Sequence, residues 1–153
     1  MTPVPASAVV DSFALYRIVT GHGPDAVAVR DAALTGRLRL LAPSVAVAVT
    51  AGMRDCWDET CVQRHGFLGR KLTAFCQLSS LESTLDNAAA AVDAGRLYAA
   101  STTMRIDGPE VLAACHAARL AARNGCELLT AARASYCYRA AQEAGLQVFL
   151  RTV

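Results

Sequence analysis

The stretch Val9-Val10-Asp11-Ser12-Phe13-Ala14-Leu15 decides the fold. The apolar run from Ala8 to Val10 stops at an acidic and a hydroxylic residue. Such a pair suits the start of a helix, because its side-chain oxygens accept from the first unpaired N–H groups. Helical spacing follows at once, with Phe13, Leu15, Tyr16 and Val19 apolar, and Gly21 and Gly23 end it. Pro24-Asp25 opens a second helix to about Leu34, closed by Gly36. Leu38 to Ala42 reads as a buried strand stopped by Pro43, and Ser44 caps a third helix over Val45–Met53. The order β-α-α-β-α is the alternation of a parallel sheet covered by helices.

Farther along, the punctuation thins. The stretch from Arg54 to Leu78 is helical in part, with breaks at Gly66 and Gly69. A helix is expected over Ser80–Ala94, ended by Gly95, and a third strand over Leu97–Ala100. Asp107-Gly108-Pro109-Glu110 starts a helix that runs from Val111 to Arg123, where Asn124-Gly125 caps it. Cys126–Thr130 is strand-like, Ala134–Ala144 is helical, and Leu146–Leu150 reads as the last strand.

Composition narrows the class. A chain of 153 residues, 54% hydrophobic and 18% charged, fits one domain over residues 1–153 with a sizeable core. Its apolar excess is largely the 31 alanines, and no run of about 18 apolar residues suggests a membrane span. The opening residues lack a basic segment and reach Asp11 early, so a cytoplasmic protein is expected rather than a secreted one. The six cysteines are accordingly expected as free thiols. Cys56, Cys61 and His65 supply three of the four ligands a closed zinc site needs, with no second pair to complete it, and are expected as ordinary thiols and imidazole. A net charge of +2 gives no global attraction for nucleic acid. Fourteen of the 15 basic residues are Arg, only Lys71 being Lys; with so much Ala, this reads as the coding bias of a GC-rich bacterial genome.

Three segments, in order, resemble a PIN domain, the small α/β fold of many bacterial toxin-like ribonucleases. Val9–Leu15 is similar to the family's first strand with an Asp at its carboxyl end. Leu41–Val49 (L-A-P-S-V-A-V-A-V) is similar to its second strand and following helix. Ala113–Ala132 (A-A-C-H-A-A-R-L-A-A-R-N-G-C-E-L-L-T-A-A) is similar to its helix, Gly turn and "LLTAD" strand. The resemblance implies a three-layer α/β fold, with a mostly parallel central sheet flanked by helices. It also implies three or four carboxylates at the strand ends, holding magnesium or manganese to activate water on a phosphodiester.

The sequence departs from that pattern at the acids. Asp11 is kept, but the other three expected acids fall on Val49, Ala114 and Ala132. Glu110, four residues before Ala114 on the same helix face, and Asp107 at the cap are the candidates to replace them. Asp11 reads either as the remaining metal ligand or as a helix cap, and Thr130 as a cleft hydroxyl or a strand end. Asp11, Ser12, Val49, Ala114, Thr130 and Ala132 are therefore expected to line one cleft beyond the carboxyl ends of the strands. Arg64, Arg70 and Lys71, with Trp57 and Phe67, form a candidate nucleic-acid surface, though Asp55, Asp58 and Glu59 nearly cancel their charge. His116 lies among alanines, and the sequence sets no Ser or Cys nucleophile with an orienting acid beside it, so it reads as a packed or partly exposed histidine rather than a catalytic base. Gly21-His22-Gly23 follows a helix, not a strand, and lacks the continuation of a phosphate loop.

The function expected is thus a catalytically degenerate PIN-like protein that binds RNA or a protein partner, with no cofactor. One alternative is a magnesium-dependent endoribonuclease using Asp11 with Glu110 or Asp107. The other is a structural subunit that forms a homodimer through its Ala-rich helices. No membrane association is expected.

Overall fold

The computed structural model describes residues 6–53, 61–84 and 87–153, with the side chains of 61–67 left out. Five strands, β1 (Ala6–Val10), β2 (Leu38–Pro43), β3 (Leu81–Thr84), β4 (Glu127–Thr130) and β5 (Phe149–Thr152), form one sheet in the order β3-β2-β1-β4-β5. Every pairing is parallel. Parallel strands need covered crossovers, and helices bury both faces of this sheet.

On one face lie α1 (Ser12–Thr20), α2 (Pro24–Leu34) and α4 (Cys61–Cys76), packed on Ala8, Val10, Leu40, Ala42, Leu81 and Leu129. On the other lie α5 (Ala88–Thr103), α6 (Pro109–Asn124), a 3-10 helix (Ala132–Tyr138) and α7 (Arg139–Glu143), packed on Val9, Leu41 and Leu128. Adjacent strand residues thus feed opposite cores, as the two-residue period of a strand requires. Helix α3 (Ser44–Gly52) packs against both α1 and α6. Leu15, Ile18, Leu40, Leu128 and Leu129 are fully buried, each contributing about 1.5–3 kcal/mol relative to exposure. Ala113, Ala114, Ala117, Ala118 and Ala121 of α6 are buried, so this alanine face of α6 is internal.

The chain order puts a topological switch between β1 and β4. Connections leave β1 toward β2 and β3 on one side, and β4 and β5 fill the other. In open parallel sheets the crevice at such a switch, outside the carboxyl ends, is where ligands bind.

Four expectations need correction. Leu97–Ala100 is not a strand but the middle of α5, which runs through Gly95 to Thr103. A Cβ at Gly95 would meet nothing, so that glycine neither bends nor stops the helix. The helix expected over Ser80–Ala94 gives way at its start to the third strand, Leu81–Thr84, an edge strand with only Leu81 buried, whose Glu82 and Ser83 mask any strand pattern. The segment expected as a helix over Ala134–Ala144 is a 3-10 helix followed by one short α-helical turn, and the last strand begins at Phe149 rather than Leu146.

Candidate functional site at the switch point

Asp11 sits where β1 ends beside β4. Its N–H donates to the Leu129 carbonyl at 3.2 Å, still in line with the sheet, while its own carbonyl accepts from Leu15 N at 2.9 Å. The backbone is extended there (φ −86°, ψ 179°), as an N-cap requires. One carboxylate oxygen, Oδ1, accepts from Ala14 N at 2.8 Å and caps α1. The other, Oδ2, accepts from the Tyr138 hydroxyl at 2.5 Å. Both side chains are fully buried.

Burial pushes the Asp11 carboxyl above the usual carboxylate range. The N–H groups of Ala14 and Phe13 and the hydroxyls of Thr130 and Tyr138 oppose that rise by favouring the charged form. The Thr130 hydroxyl forms no well-aligned hydrogen bond, yet it lies close enough to act on the carboxylate. Burial and the facing carboxylate push the Tyr138 hydroxyl well above its ordinary value, so it remains a donor. Cys137, next in the chain, is also buried, and its thiol is pushed up to about 11, which leaves it protonated and unreactive.

The expected cleft residues are placed unevenly. Asp11, Ser12, Thr130 and Ala114 are buried beneath the sheet's carboxyl end, Val49 is half-buried, and Ala132 is exposed. An open pocket of about 390 Å³ lies at the same end, with a different lining. Phe13, Tyr16 and Arg17 come from α1, His22 from the turn after it, Met53 from the end of α3, and Glu110, Ala131 and Arg133 from across the switch. Glu110 thus reaches the pocket, but Asp107 is exposed and does not line it. Glu110 curls back over Gly108, where a Cβ would lie 3.1 Å from its Oε2.

This donor set does not fit a divalent ion. Magnesium and manganese need several oxygen ligands, but both Asp11 oxygens are engaged, and Val49, Ala114 and Ala132, where the resemblance implied acids, offer no carboxylate. Among the described residues, no three His, Cys, Asp or Glu side chains converge. Cys56 and Trp57 lie outside the described residues, as do the side chains of Cys61, Arg64, His65 and Phe67 on α4. Arg70 and Lys71 are exposed on that helix.

A chain in the crystal structure of VapBC2 from Rickettsia felis, bound to a DNA fragment from their promoter, superposes over 95% of this chain and 98% of its own. The TM-score is 0.57 and the identity 16%. The fold is PIN-like. No family model and no curated protein matches the sequence. Asp11 stands just after the last residue of β1, beside β4 at the switch. What sequence reasoning missed was Tyr138, which lies 127 residues away. It missed the basic pocket lining as well. The Gly21-His22-Gly23 turn was its one visible trace. Among the described residues, no helix is long and apolar enough to cross a membrane.

Proposed function

We propose that this PIN-like protein does not cleave RNA by metal-assisted hydrolysis and acts instead by binding RNA at the carboxyl end of its sheet. The observation that carries the reading is the state of Asp11: a fully buried carboxylate with one oxygen on a helix cap and the other on Tyr138. A nucleophilic water needs a metal or base that is open to it, and this carboxylate is turned inward. Support for RNA comes from the pocket above it, where two arginines and two aromatic rings stand together. The test is to incubate the purified chain with short single-stranded RNA and manganese, following cleavage and binding in parallel. Binding without cleavage is expected. Cleavage that requires manganese and vanishes in Asp11→Asn would restore the endoribonuclease reading.

A second reading, a protein partner, is favoured by Tyr136, which is 53% exposed on the same 3-10 helix as Arg133. Exposed aromatic side chains are enriched at protein interfaces. Retention of a partner by the parent but not by Tyr136→Ala would support it.

A further inference from the structure

The pocket beside Asp11 has the chemistry of an anion site, not of a cation site. Its volume of about 390 Å³ lies within the range of small-molecule pockets. Arg17 and Arg133 enter it from opposite sides of the switch, against one carboxylate, Glu110. Among the described residues, neither arginine is in a salt bridge. Arg17 is held in place. Its Nε donates to the His22 carbonyl at 3.2 Å, and its guanidinium lies over Gly23, where a Cβ would come within 2.9 Å of Nη2. Gly23 also adopts φ 103°, a backbone conformation that a side chain would resist, so residue 23 is held to glycine by its backbone. A guanidinium fixed in this way loses little freedom on meeting a phosphate, and its planar fork matches phosphate oxygens.

Phe13 and Tyr16, three residues apart on α1, present half-buried rings to the same pocket as Arg17. Aromatic rings beside guanidinium groups suit a planar base attached to a phosphate. Glu110 adds an acceptor-only group suited to sugar hydroxyls. We propose that this pocket is a metal-independent site for a nucleoside monophosphate. Its phosphate lies on Arg17 and Arg133, its base against Phe13 and Tyr16, and its ribose toward Glu110. The inference rests on the binding reading above and narrows it. The ligand is either a free nucleotide or the phosphorylated end of an RNA, which share this chemistry.

The test is calorimetric titration of the full chain in EDTA. The ligands are adenosine 5′-monophosphate, adenosine, and one RNA oligonucleotide carrying either a 5′-phosphate or a 5′-hydroxyl. Adenosine 5′-monophosphate is expected to bind, and adenosine to bind about tenfold more weakly. Arg133→Ala, at an exposed position, and Arg17→Ala are each expected to weaken the nucleotide about tenfold. Arg139→Ala, whose guanidinium pairs with Glu143 away from the pocket, is expected to leave binding unchanged. Preference for the 5′-phosphorylated RNA over the free nucleotide identifies an RNA end as the source, and the reverse identifies a free nucleotide; both support the site. Failure of every phosphate ligand at millimolar concentration overturns it, as does binding that survives both pocket substitutions. Arg133-dependent binding of an oligoglutamate peptide in place of the nucleotide overturns it in favour of an acidic protein partner. Manganese-dependent RNA cleavage would sink the broader reading, whereas loss of nucleotide binding without cleavage sinks this inference alone.

Discussion

Tyr138→Phe isolates the contact that closes the acidic centre. The ring is fully buried against Val9, Leu128 and the helices of its face, and phenylalanine keeps that packing. What is lost is one donor, the hydroxyl that holds Asp11 Oδ2 at 2.5 Å. A buried acceptor left without its donor costs about 1–3 kcal/mol. For a domain of this size that is a melting-temperature drop of roughly 2–12 °C. The pH dependence has a definite sign. Asp11 holds its proton to higher pH folded than unfolded, because burial raises its pKa above 3.8. Between those two values the folded chain carries more protons, so the stability contribution is complete below 3.8 and falls as pH rises through the folded value. Removing a donor that favours the charged form raises the folded value further. The penalty of Tyr138→Phe is therefore larger at pH values above the folded Asp11 value than below it. Urea unfolding of parent and variant across a pH series measures this. A melting shift under about 1 °C at every pH would refute the assignment of Tyr138 as the partner of Asp11.

Other substitutions follow from the same geometry. Asp11→Asn keeps an acceptor for Ala14 N–H while removing the buried charge. It should match or exceed the parent's stability at neutral pH and flatten the pH profile; a drop of more than about 2 kcal/mol in urea unfolding would contradict this. Gly23→Ala forces a side chain into φ 103° and should cost about 1–3 kcal/mol, read by the same unfolding curves. All six cysteines should react with a thiol reagent in denaturant. In the native chain the buried Cys115 and Cys137 should react more slowly than the half-buried Cys126, and equal rates would contradict their burial.

Much of the amino-terminal half was legible because its breaks are covalent facts. Asp11, Gly21, Pro24, Gly36 and Pro43 each mark a boundary that the structure places within a residue or two. The same holds for Gly108-Pro109 and Gly125 around α6. Leu81–Thr84 escaped because an edge strand with one buried residue carries no alternation to read. Gly95 misled because a glycine on an open helix surface costs only about 1 kcal/mol, which α5 tolerates through its packing on α6. At the site, the apolar residues Val49, Ala114 and Ala132 at positions where the resemblance implied acids were visible in the sequence, but the inward turn of Asp11 was not. That turn depends on Tyr138, brought across by the sheet order and by nothing local to either residue.

The central claim, that the acidic centre no longer holds a metal, is tested most directly by melting the protein with and without millimolar manganese or magnesium. An ion bound only to the folded chain adds RT ln(1 + [L]/Kd), about 1.4 kcal/mol at ten times Kd. That is a rise of roughly 3–6 °C. With Asp11 committed to Ala14 and Tyr138, the melting temperature is expected to stay within about 1 °C. A rise of several degrees that disappears in Asp11→Ala would contradict the account.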